Sequence, residues 1–222
     1  MHLLELFSGT GSIGKAFAEL GWQVTSVDMN PKSTPTICAD IMDFEPPEGV
    51  HYDAIWASPP CTEFSRALTT RLRDLEGGLR IARRALQLIH QLQPTVWFME
   101  NPATGLLPQQ AEFAGLPCKI VSYCKYGYPY RKLTWVATNC AKWDPVPPCS
   151  RTLRCPHMEG NRHPESAQRG PTRLRDGTMH GGACSQAQLY SIPPALCLEL
   201  AQAATDQLTC KVSEEVQREA PT

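Results

Sequence analysis

The first thirty residues constrain the fold more than any other stretch. "HLLELF" has the apolar run of a buried strand, "SIGKAFAEL" the spacing of a helix closed by Gly21, and "WQVTSVDM" reads as a second strand ending on Asp28. Between the first strand and the helix, Gly9, Gly11 and Gly14 stand in a G-x-G-x-x-G arrangement, which permits a tight turn and close approach of the backbone to a ligand. A carboxylate ending the following strand can accept both hydroxyls of a ribose. In this strand-turn-helix context the pattern predicts a nucleotide-type cofactor site, without saying which cofactor.

The alternation continues for about 140 residues. "YDAIWAS" is a buried strand running into Pro59-Pro60. Residues 73–93 carry apolar side chains at helical spacing and stop before Pro94. "TVWFMEN" is another strand, and "KIVSYCKYG" and "LTWVATN" form a closing pair. Strands alternating with helices indicate an α/β sheet with ligands at the strands' carboxyl ends. Gly9 to Gly14, Asp28, Cys61 and Glu100 all fall there. After Asn139 the texture changes. Residues 140–185 are rich in Pro, Cys, His, Arg and Gly with almost no apolar periodicity, and "QLYSIPPALCLELAQAATDQL" then reads as a final helix. The expected division is a catalytic and cofactor-binding domain over 1–139, a small insert over 140–185, a helix over 186–208 packing back on the first domain, and a polar tail over 209–222.

"SPPCTEFS" places Cys61 behind two prolines at a strand's carboxyl end, where a purely structural cysteine is unusual. A thiolate is the competent nucleophile, and Arg66 or a helix beginning near Thr62 is expected to stabilise it. "FMENPATG" places Glu100 and Asn101 at the end of the neighbouring strand, where a carboxylate can hold or protonate a heterocycle nitrogen.

"LFSGTGSIGKAF", "VDMNP", "ADIMDF", "SPPCTEFS" and "MENPATG" fall in the order of the motifs of cytosine-5 DNA methyltransferases, and the chain most resembles the short, phage-type branch of that family. The resemblance covers residues 3–139 and, loosely, the last helix. It implies an α/β, Rossmann-like S-adenosylmethionine-dependent methyltransferase fold with a mixed sheet. It implies S-adenosylmethionine as cofactor, with Phe7, Ser8, Gly9, Thr10, Gly11 and Ser12 around it, then Asp28, Met29, Asp40 and Ile41, and then Ser58, Pro60 and Ser191. It implies Cys61 as nucleophile, with Glu100 and Asn101 as partners, acting on a cytosine flipped out of the stack. The family's Gln-x-Arg-x-Arg motif is replaced by "YRKLT", so either Arg131 or Lys132 substitutes for the missing arginine or its contact is lost. DNA, duplex or single-stranded, is the implied partner, with RNA less favoured. An exocyclic-amine methyltransferase and a catalytically idle DNA-binding protein are the rival readings.

The small insert cannot fold on a hydrophobic core of its own, and a structural zinc supplies the missing stability in such modules. The expected ligands are Cys140, Cys149, Cys155 and His163, with His157 as the alternate; the competing reading is a basic loop with incidental cysteines. Residues 131–176 carry nine Lys or Arg against four Asp or Glu, although the chain's formal net charge is −1. Arg151, Arg154, Arg162, Arg169 and Arg173 are thus expected to face phosphates. No apolar run is long enough to cross a bilayer, and no signal peptide precedes the first strand. A cytoplasmic location is expected (host cytoplasm, if the origin is a phage), with the ten cysteines reduced.

Overall fold

The computed structural model describes residues 1–167, 172–173, 177–180 and 186–219. A seven-stranded sheet organises the molecule: β1 (His2–Leu6), β2 (Gln23–Asp28), β3 (Ile37–Cys38), β4 (Ala54–Ala57), β5 (Val96–Pro102), β6 (Cys118–Ser122) and β7 (Leu133–Thr138), in spatial order β3-β2-β1-β4-β5-β7-β6. The first five run parallel to one another, whereas β7 runs antiparallel to both β5 and β6. The sheet is therefore mixed, and its order reverses around β1, where open α/β sheets place their ligands.

Successive residues of each strand point to opposite faces, and both faces are covered. Leu3, Trp56, Val96, Phe98 and Val136 enter one core with α1 (Ser12–Glu19) and α5 (Pro194–Glu219). Leu4, Leu6, Ile55, Ala57, Met99 and Trp135 enter the other with α2 (Leu75–Leu92) and α3 (Ala111–Ala114). Strands buried on both sides read as continuous apolar runs, which is why "HLLELF" and "YDAIWAS" lack alternation. Asp74 caps α2 by accepting from the Gly77 N–H at 2.9 Å, and the helix ends at Gln93, whose φ of 45° precedes Pro94.

The C-terminal segment departs from the expected single helix. α4 (Gln186–Tyr190) ends before Ser191-Ile192-Pro193, and α5 continues to Glu219, well into the stretch expected as a tail. Pro193 and Pro194 lack the N–H that would carry one helix across this point, while Lys, Glu, Gln and Arg favour helix beyond it. Of the insert, the structure describes a two-residue ladder between β8 (Thr172–Arg173) and β9 (Met179–His180) and single bridges that include Tyr130 to Glu165. Arg169 lies outside the described residues. Among the described residues, no helix is long and apolar enough to cross a membrane.

Candidate functional site

The turn after β1 is conformationally special. Phe7, Gly9 and Gly11 have φ of 58°, 48° and 65°, so three of five consecutive residues occupy the left-handed region. Phe7 is held there against its intrinsic preference, as residues at ligand-binding turns often are. Gly11 caps α1, and its N–H reaches the Ser8 carbonyl at 2.7 Å. Asp28, ending β2, accepts from the Gly9 N–H and the Asn30 N–H, both at 2.8 Å, and so locks the two strand ends together. Beneath the turn, buried Glu5 accepts from the backbone N–H groups of Ile13 and Gly14, and burial pushes its carboxyl up to about 7. A Cβ at Gly14 would lie 2.5 Å from Glu5 Oε2, so any side chain there would have to displace that carboxylate.

Facing this turn, the chain leaves β4 through Ser58-Pro59-Pro60 to Cys61. The indole of Trp56 donates to Ser58 Oγ at 2.6 Å, and Asn101 Nδ2 donates to the Pro59 carbonyl at 2.9 Å, bracing the proline turn against β5. Glu100, the preceding residue of β5, is buried and accepts from the Tyr123 hydroxyl at 3.4 Å. The Lys132 ammonium sits 4.7 Å from the centre of the Tyr123 ring and donates to the Leu189 carbonyl at 3.2 Å. Burial raises Glu100, partly opposed by Lys132 and Tyr123. Burial, then the Glu100 charge, raises the Cys61 thiol, with Lys132 acting the other way.

Turn and thiol open on one cleft of about 330 Å³, within the range of small-molecule sites. Phe7, Ser8, Gly9, Thr10, Ser12 and Asp28 line one end of it; Ser58, Pro60, Cys61, Glu100 and Lys132 line the rest. Glycine-loop backbone, an acidic strand end and an aromatic ring suit a nucleoside with a charged tail, so the residues present fit S-adenosylmethionine.

Other expected site residues lie elsewhere. Gly11 shapes the turn without lining the cleft, Met29 is exposed, and Ile41 is buried under α2 with its carbonyl held by Arg84. Asp40 accepts from the Met42 N–H at 2.9 Å and caps a local turn. Ser191 bonds the Tyr128 hydroxyl at 2.6 Å in an adjoining cavity of about 350 Å³ that shares Thr10 and Ser12. Asn101 is a buried brace rather than a cleft residue. Arg131 is exposed; burial, then the Arg131 charge, lowers the His163 imidazole, which places that cation toward the insert. Lys132 is thus the cation that the structure brings to the cleft.

Two expectations need correction. Arg66 does not support the thiol: its Nε donates to the Thr104 carbonyl at 3.0 Å, and the turn after Cys61 is a three-residue 3-10 element without the dipole of a long helix. The cysteine cluster also differs. The ligand atoms of Cys124, Cys149, Cys155 and His163 lie within 4.8 Å of one another. Cys140 instead packs in the main core with Trp143 and α5, because the chain stays on the sheet through Trp143, whose indole donates to Glu199 at 2.8 Å. His157 stands outside the cluster. Glu5, Tyr123 and Cys124 were not singled out by sequence. A lone acid in "LLELF" was the available signal for Glu5; "KIVSYCKYG" concealed the other two within an apparent strand.

A mixed sheet with β7 inserted antiparallel, a glycine turn after β1 and an acid ending β2 define an S-adenosylmethionine-dependent methyltransferase. The sequence profile of the family described as C-5 cytosine-specific DNA methylase matches residues 1–114. The "Probable DNA (cytosine-5)-methyltransferase" of Frog virus 3 (isolate Goorha) is 32% identical over 218 residues, covering 90% of this chain and 98% of the relative. The structure of Entamoeba histolytica methyltransferase EhMeth is similar with a TM-score of 0.52 at 12% identity, covering 94% of this chain and 98% of that one. A triple mutant of Spodoptera frugiperda DNMT2 is 19% identical with a TM-score of 0.47 over 75% of this chain, which spans 58% of that structure's length. The chain belongs to the C-5 cytosine-specific DNA methylases, enzymes that transfer a methyl group to carbon-5 of cytosine in DNA. The cofactor of that class is S-adenosylmethionine and its substrate is DNA.

Proposed function

We propose that Cys61 adds to carbon-6 of a cytosine brought into the cleft, and that Glu100 and Lys132 assist this addition. Carbon-5 of cytosine is too weak a nucleophile to take a methyl group directly; a thiolate on carbon-6 converts the ring to an enamine that can. The observation that carries the reading is that Cys61, Glu100, Lys132 and the glycine turn line one cleft.

The residues' electrostatics support the order of events. Burial favours the neutral acid at Glu100, so its proton is available to N3 of the base. A neutral Glu100 also ceases to oppose the Cys61 thiolate, while Lys132 favours it. Two groups with raised pKa values thus cooperate: the proton on one permits the charge on the other. Asn101 keeps the proline turn, and with it Cys61, at a fixed height above Glu100.

The cofactor would be held by Phe7, Gly9 and Asp28, and supplies an electrophilic methyl group. After transfer, loss of the carbon-5 proton lets the carbon-6–sulfur bond break and returns Cys61 as thiolate. On duplex DNA the base must first leave the stack, at a cost of a few kcal/mol. Arg151, Arg154 and Arg162, all exposed, are placed on the insert to offset that cost through phosphate contacts. The insert is small, which favours a short or relaxed target sequence.

The test is trapping on DNA containing 5-fluorocytosine, duplex and single-stranded, with S-adenosylmethionine. Fluorine blocks the elimination, so a carbon-5 enzyme remains attached on a denaturing gel. The expected result is a shifted band that Cys61→Ser abolishes. Methylated DNA without a band would overturn the covalent mechanism, and methylation of RNA alone would overturn the substrate.

A further inference from the structure

We infer that Cys124, Cys149, Cys155 and His163 bind one zinc ion, which fastens the insert to the sheet one residue from the Tyr123 that touches Glu100. Three thiols and an imidazole form a soft, borderline donor set suited to tetrahedral zinc. Around zinc, with bonds of about 2.0–2.3 Å, ligand atoms lie about 3.5–3.8 Å apart. Here the His163 Nε2 lies 3.2 Å from Cys155 Sγ and 3.8 Å from Cys149 Sγ, and all four atoms fall within 4.8 Å. A small contraction or expansion of that set reaches tetrahedral geometry.

The surroundings point the same way. The three cysteines are buried as a separate cluster, and among the described residues Met158 is the partly buried apolar side chain packed against them. Such a core is too small to hold a module together without a cross-link. A single disulfide would use two sulfurs and leave a third thiol and a histidine crowded beside it. Zinc uses all four, and its binding releases the thiol protons to solvent.

Cys124 makes the site more than an internal staple. It belongs to the 3-10 turn Tyr123–Tyr126 after β6, whereas the other ligands come from the insert. Further contacts bridge the same seam: Cys149 N donates to Ser122 Oγ at 2.7 Å, and Lys125 Nζ to the Arg154 carbonyl at 2.8 Å. Tyr123 N in turn donates to the Lys132 carbonyl at 3.1 Å. A metal holding Cys124 therefore fixes the insert, the Tyr123 ring and Lys132 as one unit. Metal binding itself is independent of the reaction at Cys61; its consequence for Lys132 and Glu100 rests on that reading.

The experiment uses the full wild-type chain. Metal analysis should find about one zinc per chain. Cobalt(II) substitution should give sulfur-to-metal charge-transfer bands and the ligand-field bands of a tetrahedral site. Alkylation followed by peptide mapping should find Cys124, Cys149 and Cys155 protected until a chelator is added, with Cys140 indifferent to the metal. Cys124→Ser should lose the zinc, whereas Cys61→Ser should keep it whether or not it retains turnover. Three results would overturn the site: reduced, folded protein that neither carries nor takes up zinc; metal-dependent protection of Cys140 in place of Cys124; or a Cys149–Cys155 disulfide in freshly purified protein. Because mapping is done on the unmutated chain, a variant that fails to fold leaves the outcome decidable.

Discussion

Glu5 offers a test of the cleft's electrostatics that needs no substrate. Its carboxyl is buried beneath the cofactor turn and is raised from 4.5 to about 7, with burial as the leading cause and the N–H groups of Ile13 and Gly14 opposing it. A folded-state pKa above the unfolded value contributes stability that is fully present below about pH 4.5 and is lost as pH rises through about 7. Each pKa unit corresponds to 1.36 kcal/mol, so the contribution falls by about 2.5 kcal/mol between pH 5 and pH 8. Glu5→Gln removes the titration and can still accept from the helix N-terminus. The assay is urea unfolding of both proteins, without cofactor, at half-unit steps from pH 5 to pH 8. Taking the difference at each pH cancels the other titrating groups. Relative to wild type, Glu5→Gln should gain about 2.5 kcal/mol across that range, most of it below pH 7. A difference independent of pH would refute the burial argument; a trend of opposite sign would mean that the N–H groups outweigh desolvation.

Three further substitutions probe the Cys61 end of the cleft. Glu100→Gln should slow methylation by about 10²–10⁴-fold, and because the Glu100 charge raises the Cys61 thiol, the pH midpoint for alkylation of Cys61 should move down. An unchanged midpoint would separate the two groups. Lys132→Met should move that midpoint up and reduce turnover, while Arg131→Met should leave the midpoint in place; the reverse pattern would return the catalytic role to Arg131.

Much of this was legible from the sequence because the sheet's strands are buried on both faces and their functional residues sit at their ends. Gly9, Asp28, Cys61 and Glu100 follow from local pattern plus strand order, and the structure gathers them without exception at one edge. What escaped depends on distant pairing. β3 has two residues and no periodicity to show. Glu5 reads as an oddity in an apolar strand until its partners on α1 are known. The difference between Arg131, which is exposed, and Lys132, which lines the cleft, depends on how the chain enters β7, and local composition does not show it. Cys124 fails for a similar reason: it is far from Cys149 in sequence and meets it through the return of the chain, while nearer Cys140 is retained by the core.

The β6–β7 hairpin joins these observations. Because Ser122 pairs with Leu133, the residues just beyond the ladder are brought face to face: Tyr123 and Cys124 on one side, Lys132 on the other. The hairpin's inner side presents the Tyr123 hydroxyl and Lys132 to Glu100, and its outer side presents Cys124 to the insert. The element that places Tyr123 beside Glu100 also carries Cys124, through which the proposed zinc would fasten the insert. With zinc on Cys124, displacement of the insert would also displace Lys132, whose charge favours both the Glu100 carboxylate and the Cys61 thiolate. If zinc holds Cys124 and DNA seats on the insert as proposed, a single backbone turn would couple that contact to the chemistry proposed at Cys61.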